Sequence, residues 1–485
     1  MFKKILPLVG AMMLAGCVNL APEYQRSEAP VEQAWPSGEA YEAAQLKAEQ
    51  LPSWEQFFLN ESLKKVIRLG LENNRDLRVA ALTVEQTRAQ YRVQRSELFP
   101  TVAATAQNAA SNSSRQVQGY DVTQHNYTAN LAMASYEIDF FGRIRNLNEQ
   151  ALQAYLASED AHRSAQSTLI AEIAMMWLQL GADRMQLALQ RETLASQEES
   201  FRLIEQSYKL GASSQLDYEQ ARSTVATARA SIANYVRAVA QDRNALELLV
   251  GTKIDEKLLP ESVDIEATME ATLPPGLPGE VLLNRPDIRQ AERQLLSANA
   301  AIGAARAAFF PNVSITAGVG SSTLHLSDLF DSGSGQWSFT PSVSIPIFTG
   351  GLNLANLEAA EAGQKIAVAN YEGAIQTAFR EVADAMTTEG TIEKELTARE
   401  ELADASTKAF QIADSRYRHG AATYLEVLDS QRSMVSARQA LISTQLSRAA
   451  SRVTFFKVLG GGSELATDTP AQTTEKTTTT EQKQG

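Results

Sequence analysis

Residues 304–319 read AARAAFFPNVSITAGV, and the pattern changes in the middle of this stretch. The alanine-rich run before Pro311 favours a helix, and Pro311 ends it because proline lacks the amide donor and biases the preceding residue away from helical angles. From Val313 to Val319, apolar residues alternate with small or polar ones. A period of two is typical of a strand with one apolar face. The stretch therefore predicts a helix that passes directly into a strand.

The same pattern occurs earlier in the chain. Asp76–Ala106 matches Asp287–Ala317 at a constant separation of 211 residues. A second block repeats at a separation of 209 residues, and its matched pairs include Phe201 with Phe410, Tyr208 with Tyr417, Gly211-Ala212 with Gly420-Ala421, and Gly251 with Gly460. The chain is therefore read as two similar halves, which is a duplicated large substructure and not a solenoid.

Each half contains a predicted β-hairpin, at 312–348 and, with weaker alternation, at 101–139. Strands of this length with one apolar and one small polar face fit a transmembrane β-barrel that has lipid outside and water inside. A soluble sandwich hairpin is the alternative, but two hairpins alone cannot cover both faces of a sheet. The residues before each hairpin, 62–98 and 279–309, are predicted to be helical.

A long helix is predicted after each hairpin. Residues 143–209 contain no proline and one glycine, Gly181. Apolar residues recur at every seventh position as Ile173, Leu180, Leu187, Leu194, Phe201 and Tyr208, and the second half repeats the row as Val382, Glu389, Leu396, Ala403, Phe410 and Tyr417. A seven-residue repeat predicts coiled-coil packing, which Glu389 interrupts. About 67 residues of helix would be roughly 100 Å long.

The predicted domains follow from these patterns. They are a signal peptide at 1–16, an N-terminal lipidated segment at 17–60, a first repeat at 61–251, an equatorial linker at 252–278, a second repeat at 279–462 and a disordered tail at 463–485. Within each repeat the chain is expected to reverse at a glycine, Gly211 or Gly420, because glycine commonly ends helices.

The N-terminal residues resemble a bacterial lipoprotein signal. Lys3 and Lys4 precede an apolar run that ends in Leu14-Ala15-Gly16-Cys17. The run is too short to span a bilayer, so a transmembrane anchor is the weaker alternative, and an incidental cysteine is the other. Cys17 is the only cysteine and is predicted to carry the lipid. Val18 at the next position, in place of Asp, predicts the outer membrane.

Composition excludes some classes of function. The net charge is −13, and −15 once Lys3 and Lys4 leave with the signal, which argues against general nucleic-acid binding. No second apolar run is long enough for a membrane helix, so strands must make any crossing. The histidines, of which His125 and His325 are predicted to lie in strand-connecting loops, show neither metal-ligand spacing nor a nucleophile partner, so the chain is predicted not to be an enzyme.

Four strands cannot close a barrel, and open strand edges cannot lie in lipid. The expected fold is therefore mainly α with a transmembrane β part. Three chains would share a barrel of about twelve strands above a tube of long α-helices. Such an assembly conducts and does not catalyse.

Several motifs together resemble the TolC-like outer-membrane factors, and most closely the OprM-type efflux lipoproteins. They cover nearly the whole mature chain and are Leu14-Ala15-Gly16-Cys17, Asn73-Asn74-Arg75-Asp76-Leu77, Glu137-Ile138-Asp139-Phe140-Phe141-Gly142-Arg143, Asn284-Arg285-Pro286-Asp287-Ile288, Ala304–Pro311 and Arg416-Tyr417-Arg418-His419-Gly420. The resemblance implies a homotrimer in the outer membrane that extends into the periplasm. It also implies a periplasmic adaptor and an inner-membrane resistance-nodulation-division pump as partners, and no cofactor beyond the lipid on Cys17.

The resemblance further implies a gate at the helix-hairpin tips. Its residues would be Leu425 as an apolar ring, Asp429 as an acidic ring, and Arg432, Arg416 and Tyr417 as latch residues. The tips at Gly211, Ser213, Gly420 and Ala422 would contact the adaptor. Independently of the family, three Asp429 carboxylates in a constriction would attract cations and repel anions. The alternative is that Asp429 lies on a solvated helix face.

Two other readings of the function stay open. A periplasmic coiled-coil lipoprotein or adaptor scaffold would share the lipid anchor and the helical hairpins, but it has no need of the alternating strand pairs. Relatives of this fold also export metal ions or proteins. The OprM-type resemblance favours drugs and solvents.

Overall fold

The computed structural model describes residues 18–26, 30–32, 34–44, 51–113, 122–265, 267–269 and 285–463. The predicted signal peptide, Cys17, linker residues 270–278 and the tail from residue 464 lie outside these ranges.

The described chain is mostly helical. Its α-helices are α1 (Trp54–Phe57), α2 (Glu61–Asn73), α3 (Arg75–Ser96), α4 (Arg143–Lys209), α5 (Gln215–Val250), α6 (Pro286–Ala307), α7 (Leu352–Arg418) and α8 (Tyr424–Val458). Its strands are β1 (Val102–Ser113), β2 (Val122–Ile138), β3 (Asn312–Thr323) and β4 (Gly335–Ser344). Short 3-10 turns lie at Glu39–Ala44, Glu256–Leu258 and Leu326–Asp328. Across the described ranges, no helix combines the length and apolar character needed to cross a membrane.

The internal repeat is confirmed by the lengths of matching elements. Helices α3 and α6 each have 22 residues, β1 and β3 each have 12, and α4 and α7 each have 67. The chain divides into two compact units, whose boundaries fall after Ala165 within α4 and after Thr387 within α7. Each unit therefore draws segments from both repeats.

The first unit contains the sheet. Its strands follow the order β1-β2-β3-β4 and pair antiparallel throughout. The register aligns Leu131 with Val319, and Val319 with Trp337. Because paired residues share a face, one face of the sheet is apolar across three strands.

Three sequence expectations need correction. The second hairpin was expected to reach residue 348, but β4 ends at Ser344, and Pro346 just beyond it cannot donate a ladder hydrogen bond. His125 lies within β2 and not in a loop, whereas His325 does lie in the β3–β4 connection. The helical stretch 62–98 is two helices, because Asn74 is extended (ψ 133°) and its side chain caps α3 by accepting from the Leu77 amide at 2.7 Å.

The second unit contains most of the aromatic core, the whole first seven-residue row and all of the second row except Val382. The rings of Phe57 and Phe456 stack with centroids 4.2 Å apart. Of the first row, Ile173, Leu180 and Leu187 are buried as the repeat predicts, whereas Leu194 and Phe201 are half-buried and Tyr208 is exposed. Glu389, which interrupts the second row, accepts from Arg452 Nε at 3.3 Å. The interruption of the apolar row is therefore a helix-to-helix ion pair.

Candidate gate at the helix hairpin tips

The two tips in the second unit turn with the same backbone geometry. Gly211 and Gly420 have φ of +70° and +75°, the left-handed region that glycine adopts without strain. The Ala212 amide donates to the Ser207 carbonyl at 2.8 Å, and the Ala421 amide donates to the Arg416 carbonyl at 2.8 Å. This six-to-one hydrogen bond defines a Schellman motif, which satisfies carbonyls that a helix end leaves unpaired.

The helix after each turn starts with a side-chain cap. Ser214 accepts from the Asp217 amide at 3.1 Å, and Thr423 accepts from the Glu426 amide at 3.3 Å. Each cap is followed three residues later by an acidic residue, which also favours the positive end of the helix dipole. Both reversals are therefore stabilised by hydrogen bonds between residues that are close in sequence.

The four helix ends at the tips pack around a small apolar cluster. Its buried members are Ile204, Ala221, Tyr424, Val427 and Leu428, and its half-buried members include Phe201, Tyr218, Phe410 and Tyr417. Burial raises the pKa of Tyr424 to about 12, and a hydrogen bond with Thr224 opposes this shift. The phenol therefore stays neutral at physiological pH.

The predicted ring residues lie on the outside of this cluster. Leu425 is 61% exposed although it is apolar, and Asp429 and Arg432 are also exposed. Asp429 forms no ion pair with any residue in the described ranges. Leu425 and Asp429 are four positions apart on α8 and so share one helix face. This placement suits both a pore-lining ring and a solvated face.

The predicted latch residues make different contacts from one another. Arg416 Nη2 donates to the Ala421 carbonyl at 3.0 Å and so braces its own turn. Tyr417 stacks at a tilt against Tyr424, with ring centroids 5.7 Å apart. The charge of Arg432 lies close enough to Tyr424 to oppose the rise of its pKa.

An ion pair that sequence reasoning missed joins the two repeats. Arg418 on α7 lies 3.4 Å from Glu199 on α4 and 2.8 Å from Asp414 on its own helix. Arg418 is part of the recognised motif Arg416–Gly420, but its partner is 219 residues away in sequence. Within one chain, this cross-helix pair is formed by Arg418 and not by Arg416.

The predicted adaptor-contact residues are at the ends of the turns. Gly211 and Gly420 are exposed, and an added Cβ would meet nothing within 4 Å at either position. Ser213 Oγ lies 3.5 Å from the Asp217 carboxylate, and Ala422 is half-buried. Leu210, beside them, is 85% exposed. The first tip therefore presents an apolar side chain to its surroundings.

The two tips carry their charges at different positions. Leu216 corresponds to Leu425 at the separation of 209 and is likewise exposed, at 66%. The positions that correspond to Asp429 and Arg432 are Gln220 and Ser223. The charged residues of the candidate gate therefore belong to the second repeat alone. Among the described residues, no group of three or more histidine, cysteine or acidic side chains is placed to hold a metal ion.

The chain consists of two similar halves. Each half has a helix, a β-hairpin with one apolar face and a long helical hairpin, and this arrangement is typical of a class of membrane channels. The model of the family described as "Outer membrane efflux protein" matches residues 66–252 and 277–461. The chain belongs to this family, which is one of transport channels and not of enzymes, and it is an outer-membrane protein.

The similarity to known proteins extends over almost the whole chain. The chain is 46% identical over 467 residues to the solvent efflux pump outer membrane protein SrpC of Pseudomonas putida, covering 95% of this chain and 98% of SrpC. It is 44% identical over 471 residues to the antibiotic efflux pump outer membrane protein ArpC of Pseudomonas putida, covering 95% and 96%. The open state of the Neisseria gonorrhoeae MtrE outer membrane channel superposes with a TM-score of 0.83 at 36% identity, covering 92% of this chain and 99% of MtrE.

Proposed function

We propose that three copies of this chain form the passive exit duct of a tripartite efflux pump for organic solvents and antibiotics. A periplasmic adaptor and a proton-driven inner-membrane pump would be its partners. The family, and the solvent and antibiotic efflux pumps to which SrpC and ArpC belong, support this cargo class. Residues 1–16 would be removed and Cys17 would carry the lipid anchor.

The four-stranded sheet is the observation that carries the proposal. On its apolar face Trp337, Phe339 and Val343 are 79%, 58% and 61% exposed. Strands β1 and β4 are its outer strands, so among the described residues each has one row of backbone groups without a strand partner. In lipid, each unsatisfied backbone group costs several kcal/mol. Closure with neighbouring copies satisfies both edges and turns the apolar face outward to lipid.

The duct would open at the tips, where Leu425 and Asp429 of three copies form the narrow rings. Removing both side chains widens the ring and removes its charge, so Leu425→Ala with Asp429→Ala should raise single-channel conductance severalfold in planar bilayers. The repeat supplies a matched control, because Leu216→Ala with Gln220→Ala changes the corresponding positions of the first tip, where Gln220 stands in place of Asp429. We expect the control to change conductance by less than half as much.

Light scattering on the same purified lipoprotein tests the assembly. A trimer that conducts supports the shared duct. A monomer without conductance contradicts it. Unchanged conductance in the double variant of a conducting trimer contradicts the gate assignment alone.

A further inference from the structure

Residues 18–26, the N-terminal strap, lie along helix α6 in the first unit. The Leu20 carbonyl accepts from Arg306 Nη1 at 3.3 Å. The Pro22 carbonyl accepts from Asn299 Nδ2 at 2.8 Å. Side chains of the helix thus hold the backbone of the strap, and the strap runs towards the N-terminal end of α6.

The far end of the strap is held by one carboxylate. Glu292 accepts from the Tyr24 hydroxyl at 3.0 Å and from Arg26 Nε and Nη2, both at 2.8 Å. A paired guanidinium and carboxylate is among the stronger polar contacts in proteins. Tyr24 also packs against the buried cluster that contains Ile288 and Tyr371. The strap therefore covers part of the core of the first unit.

These contacts repeat with two different periods. On the strap they occur at residues 20, 22, 24 and 26, and on α6 they occur at residues 292, 299 and 306. A period of two is one face of an extended chain, and a period of seven is one stripe of a helix. The spacing of the contact residues on the strap thus agrees with the spacing of their partners along α6, as expected for a specific docking site.

The duplicated helix α3 provides an internal comparison. At the separation of 211, Glu292 and Asn299 correspond to Ala81 and Arg88, and only Arg306 has an equivalent, Arg95. Arg95 is exposed. Of the three residues on α6 that hold the strap, Glu292 and Asn299 are therefore specific to the second repeat.

The near end of the strap is held where β2 passes into α4. Asn146 Nδ2 donates to Asn19 Oδ1 at 2.9 Å and to the Gly142 carbonyl at 2.7 Å. A Cβ on Gly142 would lie 3.2 Å from the Val18 carbonyl, and a Cβ on Gly303 would lie 2.6 Å from the Asn146 amide. Two glycines thus leave space for Asn146, which is 2% exposed, and for the first residues of the strap.

We propose that the N-terminal strap is docked on α6 so that Val18, the residue that follows the lipidation site, is held at the junction of β2 and α4, with Asn146 as the residue that positions it. This inference rests on the proposed function, which supplies the lipid. Cys17 is one peptide from Val18, about 3.8 Å between Cα atoms. The lipid anchor is thereby kept close to the end of the lipid-spanning strands and is not attached through a flexible linker.

Spin labels on the full-length lipoprotein in proteoliposomes test this inference. The lipid consumes the thiol of Cys17, so Glu23→Cys or Val18→Cys offers a single labelling site. Glu23 is exposed and lies between the contact positions of the strap, so a label there reports docking on α6. A label at position 18 reports the end near Asn146. Both labels should give slow-motion spectra in the otherwise unchanged chain.

Three variants should release the strap. Asn299→Ala and Arg306→Ala should raise the mobile fraction of the label at position 23 about fivefold, the population change expected for loss of one net hydrogen bond. Asn146→Ala should do the same for the label at position 18. Arg95→Ala, at the position on α3 that corresponds to Arg306, should leave both spectra unchanged. Glu292→Gln provides a conservative second variant if Asn146→Ala does not assemble.

Mobile labels in the unchanged chain, or equal mobility in all variants, would overturn the inference. Mass spectrometry of Cys17 and planar-bilayer conductance are read separately on the same samples. An unlipidated or non-conducting chain with an immobile strap counts against the proposed function and leaves the strap docked. A conducting chain with a mobile strap counts against the docking of the strap alone.

Discussion

Asp183 on α4 and Asp242 on α5 bring two carboxyl groups together in the second unit. Burial, a hydrogen bond with Asp183 and the charge of Asp183 raise the pKa of Asp242 to about 7. Asp242 Oδ2 is buried, and no donor in the described ranges reaches it. The neighbouring Arg184 and Arg243 both bind Glu256 instead. A hydrogen bond between two carboxyl groups requires that one of them keep its proton.

This pair predicts a pH-dependent stability of the folded chain. The pKa of Asp242 is higher in the folded than in the unfolded state, so the folded state binds the extra proton between the two values. Its contribution to stability is complete below about pH 4 and is lost as the pH rises through about 7. Asp242→Asn keeps a hydrogen-bonding group without the charge. The thermal midpoint of the variant should therefore lie a few degrees above that of the parent at about pH 8 and close to it at about pH 4.

The measurement is the thermal midpoint of the detergent-solubilised chain by circular dichroism at both pH values. Asp404→Asn is the matched control because Asp404 is exposed and pairs only with Lys408 on its own helix among the described contacts. It should shift the midpoint equally at both pH values. An equal shift for Asp242→Asn would mean that the pair does not hold a proton.

At the scale of elements, the turn at Gly420 predicts a local cost for any side chain. Its φ of +75° is strained for alanine, while an added Cβ would meet nothing within 4 Å. The cost is therefore conformational, about 1–2 kcal/mol, and acts on the last turn of α7. Gly420→Ala should speed amide exchange of residues 416–421 by roughly 5- to 30-fold, measured by hydrogen-exchange mass spectrometry.

Gly373, inside α7, is the control for this prediction. An added Cβ there also meets nothing within 4 Å, and Gly373 is not among the glycines with positive φ. Alanine is about 1 kcal/mol more favourable than glycine inside a helix, so Gly373→Ala should slow local exchange or leave it unchanged. If Gly420→Ala behaved in the same way, the Schellman motif would not be what shapes the tip.

The sequence predicted the long elements because their signals are local. Helix α4 coincides with the proline-free run 143–209, and the alternation from Val313 marks β3. The break at Asn74 was missed because Asn-Asn-Arg also fits a helix interior, and only the cap to the Leu77 amide distinguishes the two. The end of β4 was misplaced because apolar alternation continues to Ile347 beyond the last hydrogen-bonded residue.

Contacts between distant elements could not be predicted in the same way. Which residues of α4 face α7 depends on how two 67-residue helices pack along their length, and the seven-residue rows give a stripe but not a register. Arg418 was therefore inside a recognised motif, yet its partner Glu199 was not identified. The gate assignment of Leu425 and Asp429 came from a family resemblance, and their exposure in one chain is compatible with it.

At the scale of the whole molecule, the duplicated halves keep the same backbone geometry while their side chains differ. Both tips use a glycine turn and a side-chain cap, but only the second carries Asp429 and Arg432. Both helices before the hairpins have 22 residues, but among the contacts of the described residues the strap is held by α6 and not by α3. In a trimer, each such difference would occur three times around one axis. The six helical hairpins of a trimer would thus be related by approximate six-fold symmetry, whereas the Asp429 carboxylates would follow three-fold symmetry.

The three Asp429 carboxylates predict the ion selectivity of the closed duct. The chain is acidic, with a net charge of −13, and three Asp429 carboxylates would add a negative ring at the narrowest point. The parent trimer should prefer K⁺ to Cl⁻, and Asp429→Asn should move the reversal potential in a KCl gradient towards zero. Asp404→Asn removes the same charge from an exposed site on α7 and should move it much less. If both substitutions shifted the potential equally, the selectivity would come from the overall acidity of the chain, and Asp429 would lie outside the constriction.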